Sequence, residues 1–357
     1  MSTESAKPGR FIVGPVYDHL FFIWPPLFFL LVGAVIDFAG VAEARVHALG
    51  RDFPIFPVFA VGFTTAHVLA VFFRSHLNAT VRKQYPIRLF VVPVIMLLLM
   101  NVSSRFLAIM AVYLVWFDVW HSSLQTFGLG RIYDVRNGNP PALGRNLDIG
   151  LALVTYAGPI IGGVTLYTQF ERFQWLANLG IERMTDLPIW TIRNQTSLMT
   201  VVAILGTIYV AYYLYAYSQL AKKGYKVSRE KILLYVSLSI ASVWSWGFDT
   251  FGQSYLTMEC FHALQYFAVI RWTERDNLQK TFGLSSVPWG GTLAMAIVVV
   301  TTMAGGFWAA AFASGTLSYT IILTATFCHF WWDGFIWSVQ KKSHFQNVSL
   351  LPSGGQS

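Results

Sequence analysis

The sequence predicts an all-α, polytopic integral membrane bundle of about ten transmembrane helices with both termini cytoplasmic. Three observations lead there. Apolar runs of about twenty residues recur along the 357-residue chain, and that length spans the ~30 Å hydrocarbon core of a bilayer. Charged residues make 12% of the sequence against 55% hydrophobic, too few to clothe a water-exposed surface. The basic residues fall in short clusters between the apolar runs, as they do in the cytoplasmic loops of membrane proteins. Mean hydropathy is +0.52. The formal net charge of +8 resides in those loop clusters, so nucleic acid is not an expected partner.

Taken in order, the chain reads as a single transmembrane domain. Residues 1–16 form a cytoplasmic segment whose start, MSTESAKPGR, lacks the apolar core of a cleavable signal. The spans are 17–41, 54–75, 87–103, 106–130, 147–169, 198–221, 231–249, 253–272, 290–313 and 316–339. The third is the shortest, and Asp249–Gln253 leaves only a tight turn between the seventh and eighth. Residues 170–197, with Glu171, Arg172, Glu182, Arg183 and Asp186, make the largest external loop, and 343–357 a cytoplasmic tail. Placing both termini inside puts 19 of the 25 basic residues on the cytoplasmic side and leaves Arg45, Arg51, Arg105, Arg172, Arg183 and Arg193 outside. That asymmetry sets the orientation, and the expected setting is a bacterial inner membrane.

Ionisable residues inside such spans cost ~2.5–3.5 kcal/mol each on insertion scales, so a chain that keeps them usually uses them. Asp118-x-x-His121 and Glu259-x-x-His262 each place an acid and an imidazole one helical turn apart, and Asp333 follows His329 by four residues. Each pair therefore shares a helix face. His67, His121, His262 and His329 lie seven, ten, nine and twelve residues before Arg74, Arg131, Arg271 and Lys341. At 1.5 Å per residue these imidazoles stand ~10–18 Å from the cytoplasmic ends of four spans that run in the same direction. Carboxylates and imidazoles from packed helices are the ligand set of di-iron or di-manganese centres. His67, Asp118, His121, Glu259, His262, His329 and Asp333 are thus the expected metal ligands. Asp18 and His19 enter the first span at a shallower level as ligands or supports. Gln125 and Gln265, one turn beyond His121 and His262, suit donors that orient ligands.

The plainer readings are specific too. A lone membrane histidine serves as an interhelical hydrogen-bonding partner, and an isolated acid–histidine pair as a proton relay. Neither reading explains a common depth on four helices. His76 lies half a turn around the helix from His67, and His47 and His344 fall in loops. Cys260 and Cys328 read as small buried hydrophobes. Without paired thiolates the ligand chemistry favours iron, with manganese or zinc as substitutes, and two iron ions would use all seven ligands. Haem between His121 and His262 is a rival cofactor, and a proton- or ion-coupled transporter a rival function. Asp118–Phe127 and Glu259–Phe267 are weakly alike, as an ancient repeat would be.

Trp120-His121-Ser122 and the isolated span histidines resemble, over only a few residues, the Brp/Blh-type β-carotene dioxygenases among polytopic non-haem iron oxygenases. The resemblance implies an all-helical fold, iron held by intramembrane histidines, and cleavage of a lipophilic polyene with dioxygen. The acid–histidine pairs depart from that pattern, and the H-x-x-x-H boxes of membrane desaturases are missing. The expected function is an oxidoreductase that hydroxylates, desaturates or cleaves a lipophilic substrate held among membrane lipids, with a cytoplasmic electron donor. Trp116, Trp120, Phe261, Trp331 and Trp332 would line its pocket, or equally face lipid.

Overall fold

The computed structural model describes residues 9–48, 50–163, 189–312 and 315–336. Most of the expected 170–197 loop, Asp186, His344 and the 343–357 tail lie outside them. The described chain is nearly all-α: α1 (Pro25–Phe38), α2 (Ile55–Ser75), α3 (Ala79–Gln84), α4 (Val92–Val102), α5 (Ser104–Arg136), α6 (Arg145–Gly162), α7 (Gln195–Lys222), α8 (Arg229–Phe248), α9 (Phe251–Thr281), α10 (Gly290–Phe312) and α11 (Gly315–Ile336). Each of the ten apolar runs is helical over most of its described residues. Five helices, α2, α5, α7, α8 and α10, are long and apolar enough to cross a membrane. A sixth span results if Pro15–Ile23 and α1, bent by 52°, count as one. The bend falls at Pro25-Pro26, where two residues in succession lack an N–H to donate. Between α1 and α2 the polar loop closes as a small antiparallel hairpin, β1 (Arg45–Ala48) against β2 (Arg51–Pro54).

The chain divides into two compact units, the first built from the residues up to Leu30 and Val119–Met258, the second from Leu31–Asp118 and Glu259 onward. In the first, α6 packs against both α7 and α8. Gly144 opens α6 at φ +76°, and the Tyr217 hydroxyl occupies the space a Cβ would need. A side chain there would be strained and would also collide with the tyrosine.

In the second unit α2 packs most extensively on α10, then on α11, which also meets α4. The α2–α10 approach is close because Gly306 lies against the backbone of Gly62 and Ala66. Small residues let helices meet backbone to backbone when no water drives them together. Ala66, Ala70, Tyr266, Ile270, Ala294, Val298, Cys328 and Trp332 form the core around this seam. Helix α3 starts on an Asn78 cap that accepts from Thr80 and Val81 N–H.

Candidate metal centre

Three of the expected ligands meet inside the second unit. His67 of α2, His262 of α9 and His329 of α11 are each no more than 1% exposed, and one ligand nitrogen from each lies within 4.8 Å of the others. The His67 ring stands edge-on to both neighbours, with centroids 5.0 Å from His262 and 4.8 Å from His329. Imidazole–metal bonds of ~2.0–2.1 Å place the nitrogens of one ion roughly 3.3 Å apart, so edges as long as 4.8 Å would have to close by more than ~1 Å around an ion. Among the described residues, the ring nitrogens of His67 gain no more than a weak contact with the Thr64 backbone. In an apolar interior such an imidazole lacks the partner that normally offsets its burial.

Acids and a tyrosine surround the triangle. Asp333 has one oxygen 3.8 Å from His329 Nε2 and accepts the Tyr266 hydroxyl on the other at 3.2 Å. The Tyr266 ring walls the site, 4.8 Å from His329 and 5.7 Å from His67 between centroids. Asp118 and Glu259 are hydrogen-bonded to each other through their carboxyl groups. Glu259 is 3% exposed and Asp118 is half-buried. Gln265 is buried, one turn from Phe261 and three residues beyond His262.

His121, buried, and Gln125, half-buried, belong to the first unit. Asp18 is engaged in the same unit: its carboxylate accepts N–H groups of Ile12, Val13 and Gly14 and the hydroxyl of Tyr133. His19 Nδ1 pairs with the Pro15 carbonyl oxygen at 2.6 Å. Of the proposed pocket aromatics, Trp120 is 46% exposed and Trp116 half-buried. Phe261 is buried, and Trp331 stacks on Phe327. Trp332 is fully buried and donates its indole N–H to the Arg88 carbonyl.

Sequence reasoning missed two groups of buried charges. In the second unit Arg74, 2% exposed, lies 3.5 Å from Glu274, itself 5% exposed. In the first, Arg131 and Lys231 both contact Asp134 and Asp148, at 2.6–2.8 Å. Tyr213 and Tyr217 donate to Asp148, and Lys231 also donates to Tyr217. Burial and the adjacent Asp134 carboxylate push the Tyr225 phenol well above its ordinary range, so it stays a hydrogen donor. Arg74, Arg131 and Lys231 read as loop charges because each sits where an apolar run ends. The available signal was spacing: Arg74 is two helical turns beyond His67, and Tyr266 one turn beyond His262. The chain matches no family model, no curated protein and no solved structure.

Proposed function

We propose that this chain is a multi-pass membrane metalloprotein, an oxidoreductase that uses non-haem iron to activate dioxygen against a lipophilic substrate. The observation that carries the reading is the convergence of His67, His262 and His329 from three helices. Three imidazoles are a donor set for iron or zinc, and the chemistry iron would supply is electron transfer to dioxygen. Asp333, with an oxygen 3.8 Å from His329 Nε2, sets a carboxylate beside the triangle. The hydrogen-bonded Asp118–Glu259 pair supplies the carboxyl oxygens a second ion would need.

This chain's own residues would hold the ion, orient it through Asp333 and keep bulk water away with Tyr266 and the surrounding core. An intramembrane position suits a substrate dissolved in lipid. We extend the proposal to ten spans with both termini cytoplasmic, which the ten helical runs and the distribution of basic residues favour.

Elemental analysis of protein purified in mild detergent tests the centre. At least one iron per chain is expected, and a second would implicate Asp118 and Glu259. Protein that turns over substrate without metal would overturn the reading. Cysteines placed at Lys223 and Asp186 test the topology: they should label from opposite faces, and labelling from one face would remove a span between them.

A further inference from the structure

The buried pair Arg74–Glu274 is not needed to hold a metal ion, yet it sits where charge is costly. Glu274 is fixed from the far side, because Oε2 accepts the side-chain amides of Asn78 at 3.0 Å and Asn277 at 3.2 Å. Its other oxygen faces Arg74 at 3.5 Å. Arg74 has a second carboxylate within electrostatic reach, Asp333, together with the Tyr266 hydroxyl that bonds Asp333. Asp333 in turn stands 3.8 Å from His329 Nε2. These residues connect the last turn of α2 and the C-terminal part of α9 to the histidine triangle. A pair serving only to pin α2 to α9 would have no use for a second acid beside the same guanidinium.

We infer that Arg74 is a positioning residue for the three-histidine centre, acting through Asp333; the inference rests on the metal reading above. Arg74 is anchored by Glu274 and holds the Asp333 carboxylate in place. Asp333, restrained at its other oxygen by Tyr266, then fixes the ring of His329. A carboxylate beside a ligating imidazole selects which nitrogen carries hydrogen and so which lone pair the ion receives. The guanidinium suits this role because its rigid planar fork can serve more than one acid.

The test is a cobalt titration of the full chain in detergent, read by the visible bands of bound Co²⁺, on wild type, Arg74→Gln, Asp333→Asn and the double variant. Arg74→Gln should weaken Co²⁺ binding by ~10–100-fold, the usual loss for a residue behind a ligand, and should shift the bands. The double variant should bind no more weakly than Asp333→Asn alone, because residues acting in series are not additive. Arg74→Lys should recover part of the affinity, and takes the place of Arg74→Gln in the cycle if the latter fails to insert. Wild-type Co²⁺ affinity in Arg74→Gln, or losses that multiply in the double variant, would overturn the positioning role and leave the metal centre standing. A wild-type chain that binds no Co²⁺ would overturn the metal centre, and this role with it.

Discussion

The two units each bury ionisable side chains, and they do so in opposite ways. In the first, Arg131 and Lys231 balance Asp134 and Asp148 charge for charge, and Tyr213 and Tyr217 add hydrogen bonds to Asp148. Arg131 also donates to the Pro141 and Leu143 carbonyls, tying the loop before α6 to α5. In the second, three imidazoles converge, Asp333 lies 3.8 Å from His329 Nε2, and Arg74 lies 3.5 Å from Glu274. A closed set of pairs needs nothing further to be stable in apolar surroundings. A set of convergent imidazole lone pairs is one that a cation could join. Burial alone therefore does not mark a functional site; the chemistry that remains after pairing does.

Single replacements should separate the two arrangements. The largest effect on the fold is expected for Lys231→Met, which leaves Asp134 and Asp148 sharing Arg131 alone. Breaking a buried pair by removing one partner costs ~3–5 kcal/mol, to be measured by reversible unfolding in detergent. A loss below ~1 kcal/mol would erase the distinction drawn here.

His67→Leu should do the reverse. It removes a buried polar ring whose nitrogens gain little from the protein, so the metal-free protein should keep its melting temperature or exceed it. Bound metal should fall to background in the same preparation. A strongly destabilised metal-free variant would show that the histidines are structural.

The third concerns the packing that holds α2 in the second unit. Gly306→Ala places a methyl group against the Gly62 carbonyl and the Ala66 backbone, and forced overpacking costs ~1–3 kcal/mol. Because α2 carries His67 and Arg74, metal affinity should fall together with stability. Unchanged affinity in a destabilised protein would mean that the triangle tolerates movement of α2.

Much of this was legible in the sequence. Helix type and position followed from the apolar runs, each of which is helical over most of its described residues. His262 and His329, with acids one turn away, were marked by their cost in an apolar run, and His67 by its matching depth. The small β1–β2 hairpin was not legible, since its strands are too short for an alternating pattern to register. Nor could spacing along one helix tell which faces would turn toward one another. Only tertiary structure brought His67, His262 and His329 to a common point, paired Asp118 with Glu259, and engaged Asp18 with the segment 12–14. It also drew Arg74, Arg131 and Lys231 inside. The physical reason is that the cost of an ionisable residue in an apolar run is local and can be read along the chain. Its compensation comes from a partner on another helix, and which partner is decided by packing.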